Sequence, residues 1–304
     1  MRLQYLLVCL VVILESPYCT GCHSANKKEE IKKENKNEEN AAEVKMNYAS
    51  IASSKEYDLN NPTIIKLPQQ LNEISGISFY PKDTSLFAIV DEAGILYKIY
   101  LHRNNQVQSW TFDKRHDFED VVLQDSTFYV LISNGDIEQL KFNGNAITAS
   151  KSVFPGSDKK VNEFETLYYD DKKGLVLICK QCEDDKKKAV SAYGYDPSAK
   201  TFNPSLFYIN VLPIDEKLGE QKIHLKPSAA AINPVTNELY ILCSVNKLLV
   251  VADRDGNFKD VFTLDDKIYK QPEGITFTPA GDMIISNEWH EEGSPTLLVL
   301  KRNK

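Results

Sequence analysis

The feature that most constrains the fold is a repeat of about 45 residues that occurs five times along the chain. Each copy opens on a Glu or Ser, continues with an apolar run and a turn, and adds two further apolar runs separated by polar residues. The opening residues are Ser75, Glu119, Glu165, Ser228 and Glu273. Six residues after each of them stands a residue that favours turns, namely Pro81, Asp125, Asp171, Pro234 or Pro279. Such self-similarity indicates a fold built from repeated supersecondary units.

The length of the repeat predicts a β-propeller. The opening residues follow one another at intervals of 44, 46, 63 and 45 residues, and a unit of about 45 residues with several short strands is the length of one propeller blade. Four strands are expected in each blade, and in the first copy these are "GISFYP", "LFAIVD", "ILYKIYL" and "VQSWTF". The long interval indicates an insertion, which we place around "LPIDEKLGEQKIHLKPS".

The two ends of the repeat region complement each other. The last copy ends with "TLLVLKRNK", one strand short of four, whereas a spare strand, "PTIIKLP" at residues 62–68, precedes the first copy. If the spare strand completes the last blade, the ring closes and removes the edges that an open sheet would expose. We therefore predict an all-β fold, a single β-propeller of five four-stranded blades closed by an N-terminal strand. A β-sandwich is the alternative, but it does not account for the repeat.

The N-terminal residues lie outside the repeat. Residues 1–22 have the pattern of a lipoprotein signal peptide, because "LQYLLVCLVVIL" is apolar but short for a membrane span. The following "TGC" resembles the end of a bacterial lipobox, in which Cys22 is lipidated, although Cys19 replaces the usual Leu or Val. An ordinary secretory signal is the alternative. Residues 23–55 are rich in Lys and Glu, so we expect a flexible tether, with the propeller domain at residues 56–304.

Charge and short motifs exclude several classes of function. The formal net charge is −7, and no basic face can be read from the sequence, which argues against nucleic acid as a partner. An acidic chain is compatible with cation binding or with solubility alone. The sequence contains no GxSxG, HExxH or P-loop motif. Charge and motifs therefore do not specify a reaction.

Three cysteines lie in the repeat region. Cys179 and Cys182 form "CKQC", but no second CxxC completes a zinc site. We expect Cys179 and Cys243 to be small apolar residues inside strands, and a disulfide that involves Cys182 is the alternative.

Carboxylates are concentrated where strands are expected to reach one end of the central channel. In a propeller the innermost strand of each blade lines the channel, and its first residue and the end of the second strand share one face. The predicted metal-binding residues at these positions are Glu73, Asp91, Glu92, Glu119, Glu165, Glu273 and Glu288. Converging carboxylates repel unless a proton or cation neutralises them, and Ca²⁺ takes about six to eight oxygen ligands in flexible geometry. Lys226 and Asn287 are the predicted ligand-binding residues, and Lys180 is a second candidate cation in the channel.

A structural role for the same glutamates is the alternative hypothesis. Each could cap backbone N–H groups at the start of its blade, with only water in the channel. His116, which precedes "DFED", and His290, which follows "SNEW", could overlook the channel end. A surface loop is the expected setting for both histidines.

Several motifs resemble a known family. The motifs "LNEISGISFYP", "FAIVDEAGILYKI", "DFEDVV", "NEFETLYYD", "KPSAAAINP" and "QPEGITFTPAGDMIISNE" resemble, in order and blade position, the SdiA-regulated, YjiK/CarP-like family of bacterial envelope proteins over roughly residues 57–302. The resemblance implies a propeller anchored at or exported to the cell envelope, periplasmic or surface-exposed, with some relatives linked to calcium-responsive physiology. It also implies the channel acids as a site, although Ser228 replaces the acidic opening residue in blade four.

Three functions follow as hypotheses. The first is a non-catalytic, membrane-anchored binding propeller that holds Ca²⁺ or a small ligand in its acidic channel, meets an envelope protein and acts as a monomer. The second is a metal-dependent hydrolase, either a phytase-like phosphatase or a lactonase-like enzyme. A phosphatase needs several Lys and Arg around its metal, and the predicted channel positions offer few. The third is a purely structural interaction module.

Overall fold

The described residues form five antiparallel sheets of four strands. The computed structural model describes residues 54–102, 106–158, 162–182, 189–219, 223–288 and 293–303. The first blade contains β2 (Ile74–Tyr80), β3 (Ser85–Val90), β4 (Ala93–Tyr100) and β5 (Gln106–Thr111), and the second contains β6 (Phe118–Gln124), β7 (Thr127–Ile132), β8 (Ile137–Asn143) and β9 (Ala146–Ser152). The third contains β10 (Glu163–Asp170), β11 (Gly174–Gln181), β12 (Ala189–Asp196) and β13 (Thr201–Asn210). The fourth contains β14 (Ala229–Ile232), β15 (Leu239–Cys243), β16 (Leu248–Ala252) and β17 (Phe258–Thr263), and the fifth contains β18 (Pro272–Phe277), β19 (Met283–Asn287), β20 (Thr296–Leu300) and β1 (Thr63–Lys66).

The first strands of the blades close a ring around the channel. Each of β2, β6, β10 and β14 contacts the first strand of the next blade, and β18 contacts β2. The N-terminal β1 pairs antiparallel with β20, so that Thr63 lies opposite Val299 and Lys66 opposite Thr296. The predicted all-β, five-bladed propeller and its closure by the N-terminal strand are confirmed.

Apolar side chains pack neighbouring blades together. The strands β3, β15 and β19 are buried along their whole length, as expected for short apolar runs covered on both faces. Ile178 of blade three and Val250 of blade four share one buried cluster, and Tyr240 of blade four and Ile285 of blade five share another. The core is therefore distributed between the blades, which leaves the ends of the inner strands available for polar groups.

Residues before β1 help to secure the closed ring. Tyr57 is fully buried, and its hydroxyl donates to the Gly281 carbonyl at 2.6 Å. The same hydroxyl accepts from Asn233 Nδ2 at 2.7 Å. Since Asn233 belongs to blade four and Gly281 to blade five, Tyr57 joins blade four to the blade that β1 completes.

The insertion between blades three and four contains a short helix, α1 (Leu212–Leu218). Ile214 and Leu218 of α1 are buried in the same apolar cluster as Val261 of blade four. Gly219 ends the helix with φ of 70°, a left-handed conformation that glycine adopts without a Cβ penalty. The long repeat interval thus reflects an element that packs against the outside of a blade.

The cysteines only partly follow the sequence prediction. Cys179 and Cys182 form a disulfide, so the prediction of Cys179 as a free apolar residue is wrong. The turn "CKQC" brings the two sulfur atoms together because Cys182 folds back just after β11 ends. Cys243 is a buried free thiol in β15, as predicted.

The predicted signal peptide, Cys22 and the tether up to residue 53 lie outside the described residues. Among the helices of the described ranges, none is long and apolar enough to cross a membrane.

Candidate functional site

The first strands of blades two, three and five carry a β-bulge at the predicted glutamate. The pairing of β6 with β7 shifts register between Phe118 and Asp120, which leaves Glu119 as the extra residue. Equivalent shifts flank Glu165 in β10 and Glu273 in β18. A bulge bends its strand and changes the direction of the extra residue's side chain. The same local irregularity therefore presents three carboxylates that a regular ladder would direct between the blades.

The side chains of Glu119, Glu165 and Glu273 meet at one end of the channel. We call these three glutamates the acidic mouth. Burial, and then repulsion from Glu165, raises the pKa of Glu119 to about 10. The same two causes raise the pKa of Glu273 to about 8. Burial also raises the pKa of Glu165, although Lys180 opposes the rise. The carboxyls of the acidic mouth thus keep their protons to a higher pH than exposed glutamates do, because burial and neighbouring negative charge both disfavour ionisation.

Lys180 neutralises part of this charge. Its Nζ lies 2.8 Å from Glu163 Oε1 and forms a salt bridge with Glu165. Burial lowers the pKa of Lys180, but the adjoining carboxylates outweigh burial and hold the pKa above its ordinary value. Lys180 lies between the two cysteines of the disulfide, so the turn that carries this cation is closed covalently.

The two predicted ligand-binding residues make structural contacts. The Lys226 N–H donates to Asn246 Oδ1 at 2.8 Å, and it is Lys180 that forms salt bridges at the channel end. Asn287 is buried, and its Nδ2 donates to the Ile268 carbonyl at 2.8 Å. A ligand-binding role for either residue stays a prediction.

The other four predicted acids form a group beside the acidic mouth. Burial, and then repulsion from Glu73, raises the pKa of Asp91 to about 6. Burial, and then repulsion from Asp91, raises the pKa of Glu288 to about 7, and Glu288 also acts on the acidic mouth. Glu92 is exposed and forms a salt bridge with Arg115. All seven predicted acids therefore lie at the same end of the channel, in two neighbouring groups.

Next to the acidic mouth, the Asp120 side chain accepts hydrogen bonds from backbone N–H groups. Its Oδ1 accepts from the Val121 N–H at 2.8 Å, and its Oδ2 accepts from the Leu167 N–H of blade three at 2.9 Å. Gly76 of blade one leaves room for this carboxylate, since a Cβ there would lie 2.3 Å from Asp120 Oδ1. Within the described ranges, no backbone N–H donates to a carboxylate of the acidic mouth. The capping role considered for the glutamates thus falls to their neighbour Asp120.

Blade four is built differently at the same position. Ser228 precedes β14, whose pairing with β15 contains no register shift. The Ser228 hydroxyl accepts from the Ser244 N–H at 3.2 Å and lies 3.1 Å from the carbonyl oxygen of Pro272, to which it can donate. Ser228 thus links blades four and five without adding charge to the channel end.

Beyond the acidic mouth the channel contains a cavity of about 370 Å³. Its lining is largely apolar and includes Ile77, Val122, Leu167, Ala231, Pro81 and Pro279. Polar lining residues tie adjacent blades, since Ser78 Oγ accepts from the Leu123 N–H and Thr276 Oγ1 accepts from the Phe79 N–H, each at 3.2 Å. The titratable residues of this lining are Asp120, whose carboxylate accepts from the Val121 and Leu167 N–H groups, and Tyr168 and Tyr169.

A further group of possible ligands lies between blades one and two. Asp113 and His116 stand in the segment between β5 and β6, Glu138 lies in β8, and their ligand atoms are within 4.8 Å of one another. No other trio of His, Cys, Asp or Glu in the described ranges comes this close. His116 is a loop residue, as predicted, but its proximity to Glu138 was missed because Glu138 comes from the third strand of the next blade. His290 lies outside the described residues.

Fold and site together define a five-bladed propeller whose channel ends in buried carboxylates. The model of the SdiA-regulated family matches residues 54–290. The chain therefore belongs to the SdiA-regulated family, which confirms the resemblance of its motifs. No curated protein matches the chain in sequence.

Solved structures share the fold at low sequence identity. Myxococcus xanthus glutaminyl cyclase has a TM-score of 0.54 and 14% identity, over 79% of this chain and 96% of that one. The luciferin-regenerating enzyme has a TM-score of 0.50 and 11% identity, over 79% and 95%. Regucalcin from Agrobacterium tumefaciens, a calcium-binding protein, has a TM-score of 0.49 and 11% identity, over 84% and 96%. At these identities the likeness concerns the fold alone.

Proposed function

We propose that this protein is a non-catalytic binding propeller whose acidic channel end takes up a divalent cation, Ca²⁺. The observation that carries the proposal is the convergence of Glu119, Glu165 and Glu273, each at a bulge, with Lys180 in a salt bridge to Glu165. Burial and mutual repulsion both disfavour the ionised form of these carboxyls, and a divalent cation that displaces their protons offsets both costs.

Oxygen chemistry favours Ca²⁺ over other ions at this place. The seven acids offer carboxylate oxygens, the ligands that Ca²⁺ prefers, and Ca²⁺ accepts water among its ligands. Apart from the Asp113 group, no three carboxylates of the described residues bring their ligand atoms within 4.8 Å of one another. A Ca²⁺ at the acidic mouth would therefore complete its shell with water or with the carboxylate of a small ligand.

A metal-dependent hydrolase is the second hypothesis, and the charges argue against its phosphatase form. Phosphate transfer uses cationic side chains to hold the phosphoryl oxygens. Lys180 is already paired with Glu163 and Glu165, and Arg115 is paired with Glu92. A screen with phosphate esters and lactones, with and without Ca²⁺, tests this hypothesis, and turnover that requires Ca²⁺ would replace the binding proposal.

Calcium titration of the full chain, followed by melting temperature, tests the binding proposal. A ligand that binds only the folded state stabilises it by about 2.7 kcal/mol at 100 times Kd. At 10 mM Ca²⁺ and a Kd of about 0.1 mM, a value found in extracellular calcium modules, the melting temperature should rise by about 5 °C or more. The double variant Glu119→Gln with Glu165→Gln should lose this rise.

A matched variant controls for the change in net charge. Glu216 and Asp125 are exposed, and Asp125 follows the end of β6 that is opposite to Glu119, so Glu216→Gln with Asp125→Asn removes two charges away from the acidic mouth. This control should keep the wild-type response to Ca²⁺. No shift in the wild type, or an equal loss in the control, would contradict Ca²⁺ binding at the acidic mouth.

We also propose that the propeller is held at the bacterial cell envelope by a lipid on Cys22. The proposal is supported by the apolar run and "TGC" of residues 1–22 and by the charged composition of residues 23–55. Replacing Cys22 by Ala should move the protein from the membrane fraction to the soluble fraction. Continued recovery of the Cys22→Ala variant with membranes would overturn the lipid anchor.

A further inference from the structure

The Asp113 cluster, formed by Asp113, His116 and Glu138, lies at the junction of blades one and two. The Asp113 N–H donates to the Gly94 carbonyl at 3.3 Å, which fixes Asp113 at the end of blade one where β4 begins. His116 follows three residues later, and its Nε2 lies 3.2 Å from Asp113 Oδ2. The segment that crosses to blade two thereby presents a carboxylate and an imidazole side by side.

Glu138 contributes a buried carboxylate from the neighbouring blade. Its side chain is only 3% exposed, and strand pairing of β8 on both sides holds its backbone. Lys151 Nζ is 3.6 Å from Oε1, beyond the normal hydrogen-bond distance. Oε2 receives no hydrogen bond from any N–H donor of the described residues, and the side chain that it faces is the Asp113 carboxylate.

Placing the Asp113 and Glu138 carboxylates side by side is unfavourable unless a proton or a cation lies between them. A buried charge without a hydrogen-bond donor is unfavourable, and a second carboxylate beside it adds repulsion. A proton can bridge the two carboxylates, with His116 paired to Asp113 alone. A metal ion would satisfy all three side chains at once.

We propose that the Asp113 cluster is a binding site for a divalent transition-metal ion of the Zn²⁺ type. One imidazole nitrogen and two carboxylate oxygens form a mixed N/O donor set, which suits Zn²⁺ and its neighbours better than Ca²⁺. Three protein ligands leave a fourth position for water or a ligand. His116 is 40% exposed and Asp113 is 29% exposed, so an ion can enter from solvent.

The geometry is close to what such an ion requires. Tetrahedral bonds of about 2.0–2.2 Å place two ligand atoms about 3.3–3.6 Å apart. His116 Nε2 and Asp113 Oδ2 are 3.2 Å apart, and all three ligand atoms lie within 4.8 Å of one another. A shift of at most about 1.5 Å closes the site, and the exposed His116 side chain can supply part of it. Glu138, held in a strand, provides the rigid ligand.

Isothermal titration calorimetry of the full chain with Zn²⁺ alone tests the proposal. We expect one site at the Asp113 cluster and a loss of affinity of at least about tenfold in His116→Ala and in Glu138→Gln, since even outer-shell changes at metal sites cost about 10- to 100-fold. The matched control is His224→Ala, because His224 is also an exposed histidine. Circular dichroism and melting temperature without metal show whether each variant is folded.

The outcomes separate this site from the acidic mouth. If Glu138→Gln fails to fold, the loop variant His116→Ala decides the question, since its side chain is exposed. Unchanged Zn²⁺ affinity in His116→Ala, or an equal loss in His224→Ala, overturns the proposal. Zn²⁺ binding should survive Glu119→Gln with Glu165→Gln, and loss of binding in that double variant alone would move the ion to the acidic mouth.

Discussion

Blades three and four place different chemistry at the same position of the repeat. In blade three, Glu165 is the extra residue of a bulge and makes a salt bridge with Lys180. In blade four, Ser228 stands before a regular strand pair and is satisfied by the backbone atoms of Ser244 and Pro272. A shared repeat position therefore does not imply a shared role.

The difference shows how a repeat protein can separate stability from binding. Ser228 is a structural residue because its hydroxyl can donate and accept within the fold. The acidic mouth is a candidate site because its carboxylates lie near one another and lack backbone donors among the described residues. Buried charge that the fold itself does not satisfy is typical of functional sites.

Replacing Ser228 of blade four by Glu, the residue that blade three has at this position, should give the largest loss of stability. Ser228 is 2% exposed, and without a bulge the Glu side chain of Ser228→Glu would enter the packed junction with blade five. We expect a loss of on the order of 3 kcal/mol or more in the free energy of unfolding, as for an uncompensated buried charge. Urea denaturation measures the loss, and Ser150→Glu, at an exposed position of β9, should change stability little. A fully stable Ser228→Glu protein would show that blade four tolerates an acidic opening residue.

Removing charge from the acidic mouth should change how stability depends on pH. The folded-state pKa values are raised above the ordinary 4.5, to about 8 for Glu273 and about 10 for Glu119. Such groups contribute stability that is fully present below pH 4.5 and is lost as the pH rises through the folded-state pKa. Between pH 5 and pH 8 without Ca²⁺, the wild type should lose at least about 1 kcal/mol more than Glu119→Gln with Glu165→Gln. Parallel pH profiles in urea denaturation would contradict the raised pKa values.

Replacing Ser228 by Ala should lower the free energy of unfolding less than replacing it by Glu. In Ser228→Ala the Ser244 N–H loses its acceptor, and a buried donor left unsatisfied costs roughly 1 to 3 kcal/mol. The response of the melting temperature to Ca²⁺ should stay that of the wild type, since Ser228 adds no charge. A lost Ca²⁺ response in a folded Ser228→Ala protein would instead assign blade four to the site.

Replacing Lys180 by Gln should have the smallest effect, and the quantity that it changes is the affinity for Ca²⁺. Since Lys180 and a bound Ca²⁺ repel each other, Lys180→Gln should strengthen Ca²⁺ binding by about fivefold, or about 1 kcal/mol, the size of a screened charge interaction near 4 Å. Calorimetric titration measures the change, and Lys259→Gln, which removes a lysine paired with Glu238, is the control. Weaker binding in Lys180→Gln would mean that Lys180 holds an anionic ligand that accompanies the ion.

Much of the fold was predictable because repeats and turns are local patterns. Of the turn residues that follow the opening residues, Pro81 lies directly after β2 and Pro279 lies two residues after the end of β18. The strand at residues 62–68 was assigned to the last blade by counting strands, and β1 confirms it. The disulfide was misjudged because pairing depends on how the turn after Cys179 folds, which composition does not specify.

The candidate site was only partly predictable. Its glutamates could be named because residues at the start of inner strands share one end of a propeller. Asp120, one residue after Glu119, was not recognised as the backbone tie, because its partner Leu167 lies 47 positions away in blade three. Glu138 gave no signal for the same reason, since its neighbours belong to another blade.

By itself, the sequence determined the number of blades, the closing strand and the acidic character of one channel end, because each depends on a pattern repeated along the chain. Only the tertiary structure decided which carboxylates stand without backbone donors, that Lys180 is the salt-bridge partner of Glu165 and that Asp113, His116 and Glu138 meet. Those outcomes depend on β-bulges and on contacts between blades. The physical reason is that the direction and neighbours of a side chain are set by strand register and packing, which residues distant in sequence supply.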